Sequence, residues 1–254
     1  MNIFVICRKE MNSYFRSPIA YIVMALWAVL SGFFFYFAMS FFVQRGIESQ
    51  MMGQSFPMDV NEWVIRPLFS NISVIGLFLI PMITMRLFAE EKRSGTIELL
   101  VTSPVTDLEI ILGKWLAAVT LYSCMLGLSL LSIGILFLFG RPDWKPMLVG
   151  FLGLLLQGGC LLAIGTWIST CTRNQIVAGV AGFAVSLLLY VLNWVSEFGS
   201  TASDKVIGYL SVQQHYESFA RGVLDSKDVV FFVSLIFVGL FLTARSMESI
   251  RWRA

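Results

Sequence analysis

Eight charged side chains are gathered between Ala89 and Trp115, "AEEKRSGTIELLVTSPVTDLEIILGKW", in a chain whose residues are only 13% charged overall. Their types and spacing suit contact chemistry rather than bond making. Glu90, Glu91, Lys92 and Arg93 set two carboxylates beside two cations, an arrangement that fixes register on a partner through ion pairs. Gly95 breaks the outgoing helix, and Thr96 to Thr102 then form a short helix that Pro104 ends. On it Ile97, Leu100 and Val101 share one apolar face, with Glu98 and Thr102 on another side. Such a face fits a groove on a soluble partner. The other reading is a solvated loop whose charges satisfy membrane topology, but that rule asks for Lys and Arg and gains little from carboxylates. Thr106 and Glu109 have the spacing of a capping box, with Val105 and Ile110 as its hydrophobic staple, so the next helix starts well before its apolar run.

Other reactive residue types are sparse. The chain contains no P-loop, HExxH, GxSxG or paired-cysteine motif, and no polar segment long enough to fold as a catalytic domain. If ATP is used, another chain binds it. The sole histidine, His215, has no second His or Cys nearby and reads as an interfacial polar residue, not a metal ligand. Cys7, Cys124, Cys160 and Cys171 read as free, space-filling thiols.

The elements that position these residues are membrane spans. With 57% hydrophobic residues and a mean hydropathy of +0.78, the chain holds six uncharged apolar runs near the roughly 20 residues that cross a bilayer. They are Pro18–Val43, Pro67–Met85, Trp115–Phe139, Met147–Cys171, Ile176–Val195 and Val229–Ala244. The expected fold is an all-α membrane protein of a single domain over residues 1–254. If the N-terminus is cytoplasmic, eleven Lys and Arg lie inside and seven outside, which places both termini in the cytoplasm. Trp115 and Trp252 then lie near the inner interface and Trp144 and Trp194 near the outer one.

Residues 1–16 carry apolar side chains at Ile3, Phe4, Cys7, Met11, Tyr14 and Phe15 among Arg8, Lys9 and Arg16. They read either as an interfacial amphipathic helix on anionic lipid or as an ordinary positive flank. Gln44 to Arg66 reads as an outer loop with a short helix around Val60 to Val64. Ala178, Gly182 and Ser186 form a small-residue stripe on the fifth span, for packing within one bundle first and for a subunit contact second. Gln157 is the deepest strongly polar group, suited to a hydrogen bond with a neighbouring helix or to lining a path. The span interiors lack Asp, Glu, Lys and Arg, which argues against an ion-coupled carrier. In the outer segment 196–228, Val206, Tyr209 and Leu210, then Tyr216, Phe219, Ala220 and Val223, predict two short amphipathic helices on or in the outer leaflet.

"IPMITMRLFAEEKRSGTIELLVTSPVTDLEIILGKWLA" resembles the signature of ABC-2 type transporter permeases, near the gliding-motility and copper-maturation (nitrous-oxide reductase accessory) subgroup. "YLSVQQHYESFARGVLDSKDV" is similar to that family's outer segment before the last span. The resemblance implies a permease subunit of a bacterial inner-membrane exporter or force transmitter, without its own ATP site. Its implied partners are two cytoplasmic ATPase subunits holding ATP and Mg, a second permease copy, and an accessory membrane or periplasmic subunit; no nucleic acid is among them. It assigns ATPase coupling to the N-terminal helix and to Glu90, Glu91, Lys92, Arg93, Gly95, Thr96, Ile97, Glu98, Leu99, Leu100 and Val101. It makes the segment around Tyr209, Tyr216, Phe219, Arg221 and Gly222 re-entrant. A non-transporting membrane anchor is the alternative, and a secondary carrier a distant third.

Overall fold

The computed structural model describes residues 2–53, 59–97, 105–139, 142–198 and 208–251. Its regular elements are helices: α1 Asn2–Arg16, α2 Pro18–Met51, α3 Arg66–Thr84 behind a π-helical turn Asn61–Ile65, and α4 Ala89–Ser94. There follow α5 Asp107–Phe139, α6 Trp144–Cys171, α7 Gln175–Phe198, α8 Val212–Ala220 and α9 Ser226–Arg251. Among the described residues, six helices are long and apolar enough to cross a membrane: α2, the α3 segment, α5, α6, α7 and α9. They correspond to the six runs read from hydropathy.

Helix ends depart from those runs, because hydropathy marks the edge of the bilayer and not the end of backbone hydrogen bonding. Residues Gln44 to Met51, expected to be loop, continue α2. Their polar side chains are served locally: Arg45 pairs with Glu48 at 3.7 Å and lies over the Phe41 ring, and Ser49 Oγ donates to the Gly46 carbonyl. Residues near Val60 are helical as expected but lead directly into α3. There the Arg66 N–H bonds the Asn61 carbonyl, five residues back, just ahead of Pro67, which has no N–H to donate. The second span ends at Thr84, with Met85, its expected last residue, as the C-cap, and Gly95, with φ +74°, ends α4.

Burial ranks the helices. The α3 segment is 72% buried along its apolar window and α6 is 56% buried, whereas α2, α7 and α9 stand at 22, 17 and 22%. The first two form the core, and the other three turn large apolar side chains such as Phe33, Val180 and Phe237 outward. Between helices in lipid, close packing and hydrogen bonds replace the hydrophobic effect. Gly158 of α6 shows why a missing side chain matters: a Cβ there would lie 2.6 Å from Cζ of the buried Tyr122. Trp27 Nε1 donates to Ser129 Oγ at 2.9 Å, and Tyr122 Oη donates to the Leu154 carbonyl at 3.2 Å. Gln157 exchanges hydrogen bonds with Ser73 of α3, in keeping with the interhelical reading. The stripe on α7 is consumed inside the chain: Ala178 and Ser186 are buried, and Gly182 faces Pro81 of α3.

The N-terminal helix docks on the start of α5. Ile6 packs against Gly113, Asn2 Nδ2 donates to Glu109, and Tyr14 is buried. Phe4, expected on the apolar face, is 76% exposed, because the docked face runs through Ile3, Ile6, Cys7, Glu10 and Tyr14. At the other end of the bundle α8 is not a surface helix. Tyr216 and Phe219 are fully buried, and α8 packs on α6, α7 and α9. One of the two predicted outer helices is therefore seen, folded into the bundle. The start of the other, at Val206, lies outside the described residues.

Candidate functional site

Six residues of α4 receive side chains from three other elements. The helix has no N-terminal side-chain cap of its own: its N-cap residue, Phe88, offers no acceptor. Instead Ser169 Oγ, on α6, accepts the N–H groups of both Phe88 and Ala89 at 3.1 Å and donates to the Met85 carbonyl at 3.3 Å. Two orphan donors of a helix N-terminus are thus satisfied from a different helix. Lys92 Nζ donates to the Thr170 carbonyl, also on α6. Burial lowers the Lys92 amine from its ordinary value; the nearby Cys171 opposes this and Arg173 adds to it.

A second tie runs through Lys114 of α5, which is 2% exposed. Its Nζ donates to Glu91 at 2.8 Å, to the Leu87 carbonyl at 2.9 Å and to Glu10 of α1 at 3.1 Å, and it lies over the Phe88 ring. One ammonium therefore joins α1, the turn before α4, α4 itself and α5. Three acceptors match its three N–H groups. A third tie uses Arg86, which donates to Glu90 through Nε (2.8 Å) and Nη2 (3.2 Å) and through Nη1 to Ser17 Oγ between α1 and α2. Between α1 and α4, Glu10, Ser13, Tyr14, Arg86, Leu87 and Glu90 enclose about 30 Å³. Burial first, and then Glu10, push the Tyr14 phenol well above its ordinary value, with Arg86 opposing, so it stays neutral.

The expected coupling residues divide accordingly. Glu90, Glu91 and Lys92 join the network, Arg93 is exposed, and Ser94 Oγ meets Thr96 Oγ1 at 2.8 Å beyond α4. Ile97 is buried. Glu98, Leu99, Leu100 and Val101 lie outside the described residues. The capping box is present: Glu109 accepts from the Thr106 N–H at 3.1 Å, and the Glu109 N–H bonds Thr106 Oγ1 at 3.3 Å. The Thr106 backbone, followed by the Asn2 amide, holds the Glu109 carboxyl below its usual value. Lys114 and Ser169 were missed. In sequence Lys114 is only one of the eleven inner Lys and Arg, although an isolated cation at the edge of an apolar run is a signal for a buried partner. Ser169 gives no signal in sequence at all.

On the opposite face, the outer residues are distributed differently from the expectation. His215, expected to be interfacial, is 3% exposed, because it shares the inward face of α8 with Val212, Tyr216 and Phe219. Its Nδ1 lies 2.7 Å from Asp228 Oδ1 and its Nε2 2.9 Å from the Tyr209 carbonyl. Tyr209 itself is half exposed and sets its ring edge-on to the imidazole. Arg221 and Arg66 converge on Glu217, and Gly222, with φ +78°, turns the chain against Pro146. Among the described residues no group of His, Cys, Asp and Glu is arranged to hold a metal.

The geometry is that of a multi-pass membrane protein with a reinforced short helix at the face carrying both termini, where Arg251 of α9 also meets Asp107 of α5 at 3.5 Å. A search of curated proteins returns no match. The family model described as ABC-2 family transporter protein matches residues 4–245, nearly the entire chain, and the chain belongs to that family, as a membrane permease component of an ABC transporter.

Proposed function

We propose that this permease is driven by two cytoplasmic ATPase subunits and pairs with a second permease copy in a bacterial plasma membrane. In this reading α4 and the segment after it receive the push. The supporting observation is the Lys114 junction, in which one buried ammonium links α4 to α1 and α5. A six-residue helix is only about 9 Å long and would fray if held at one end. Held by α5 and α6 together, it passes a displacement to the ends of two spans at once. The excess of Lys and Arg on the side of the termini, eleven against seven, supports a cytoplasmic position for that face. The work delivered is export of a substrate or transmission of force across the bilayer.

The test is purification of the tagged chain from its native membrane in mild detergent with a hydrolysis-blocking nucleotide, followed by mass spectrometry of stoichiometric partners. A soluble chain carrying GxxxxGK[ST] is expected. With that partner reconstituted, Glu98→Lys should uncouple ATP hydrolysis from transport without affecting membrane insertion. Absence of any ATPase would overturn the reading and leave a membrane anchor in its place.

A further inference from the structure

His215 is the only histidine in the chain, and both of its ring nitrogens face acceptors. The Tyr209 carbonyl can only accept, so Nε2 must carry hydrogen. Asp228 Oδ1, 2.7 Å from Nδ1, is bonded only if a proton lies between the two atoms. The pair therefore holds one proton more than a neutral imidazole beside a carboxylate. Two observations agree with a charged ring. It stacks on Phe231 with centroids 3.8 Å apart, as a cation stacks on an aromatic face. Asp228 is 1% exposed, its Oδ1 meets this ring and its Oδ2 has no partner, so the ring is its hydrogen-bonded counter-charge, with Lys227 also near.

We propose that His215 and Asp228 form a one-proton site that latches the Tyr209–Ala220 segment onto the first turn of α9 while occupied and releases it when the proton leaves to water. Without the proton the ring can serve only one of its two acceptors, and the buried carboxylate faces a bare nitrogen or loses contact altogether. Opening the segment lets water reach both. The linkage has a definite sign. Where the released imidazole is neutral, the latched state binds one proton more than the open state, so over that range its stability falls as pH rises, by at most about tenfold in the opening equilibrium per pH unit, and the slope vanishes at acid pH where the open state is protonated too. Other titratable groups surround the segment. Tyr216 and Glu217 lie on α8 itself, Arg221 follows it, and Asp225 and Lys227 flank the start of α9. Arg66 reaches Glu217 from α3, Tyr122 of α5 lies near Tyr216, and α7 contributes Tyr190. At Phe219, α6 presents Gly153. Lys227 is hydrogen-bonded to Asp225 while also lying near Asp228, and Glu217 is paired with both arginines.

Amide exchange of residues 209–220 in the purified chain, followed by mass spectrometry from about pH 5 to about pH 9 and corrected for the intrinsic rate, reads the latch directly. The expected result is protection that falls up to tenfold per pH unit in the native chain and a flat profile in His215→Gln and Asp228→Asn, with α6 protection unchanged. A flat native profile, or the same slope retained in both variants, overturns the proposal. Should the variants fail to fold, ¹⁵N-imidazole NMR of the native chain decides. A single far-downfield ring proton that disappears over the pH range in which protection falls supports the site, and its absence throughout refutes it. None of these outcomes depends on the ATPase reading.

Discussion

Lys114→Met keeps the length of the side chain and removes its charge. The native ammonium is 2% exposed and serves Glu91, Leu87 and Glu10, so its loss leaves two carboxylates and a carbonyl without their donor. Removing one partner of a buried pair costs about 3–5 kcal/mol. Glu10 and Glu91 keep 15% and 18% exposure, so water recovers part of that and about 2–4 kcal/mol is expected. Adding Glu10→Gln and Glu91→Gln removes the uncompensated charges, and the triple variant should return to within about 1 kcal/mol of the native chain. Thermal unfolding in detergent measures the loss, and amide exchange of α1 locates it, because α1 is held to α5 through Glu10. The reasoning fails if the single substitution leaves both readouts unchanged, or if the triple variant is no more stable than the single one.

Ser169→Ala strips the shared acceptor from the Phe88 and Ala89 N–H groups; at about 1–3 kcal/mol for each unsatisfied buried group, a total of about 2–6 kcal/mol should be lost, with faster exchange of both amides. Gly158→Ala drives a methyl into Tyr122, and overpacking of about 1–3 kcal/mol should be largely absent when Tyr122→Ala is also present, a non-additivity that a double-mutant cycle measures. Gly95→Ala forces a side chain into the left-handed region at a cost of roughly 1–2 kcal/mol, seen as fraying of α4 with little effect on the spans. The Glu109 cap is ionised at neutral pH; because the folded state lowers this carboxyl, the contribution is lost as pH falls through that lowered value, and Glu109→Gln should remove the acid sensitivity of α1 exchange.

What the sequence made legible was whatever is local or repeated. Six apolar runs announce six spans because each must satisfy the same bilayer thickness. Thr106 and Glu109 are three residues apart, so their reciprocal hydrogen bonds could be read directly. The ties around α4 could not. Ser169 lies 80 residues from Ala89, and Glu10 lies 104 from Lys114, and neither separation has a periodic signature. His215 is an intermediate case. It occupies a helical face with Val212, Tyr216 and Phe219, so the spacing is compatible with burial, while its polarity alone points to the interface. Val223, read as part of that face, is 56% exposed, because Gly222 turns the chain away before it.

The two sites are joined through α6. Ser169 and Thr170 hold α4 at one end of this helix, Gly158 seats Tyr122 of α5 near its middle, and Gly153 seats Phe219 of α8 toward the other end. The helix runs unbroken from Trp144 to Cys171, about 42 Å at 1.5 Å per residue, and its only proline is in the first turn, where no hydrogen bond is lost. In the proposed reading, a displacement of α4 would reach α8 along this one helix without passing through a loop. At these contacts the Tyr122 and Phe219 side chains rest directly on the α6 backbone, which lets the helices approach closely. Both α8 and α9 pack on α6, α9 through Gly239 against Ala163, and the His215–Asp228 contact is the polar bond placed across the boundary between those two helices.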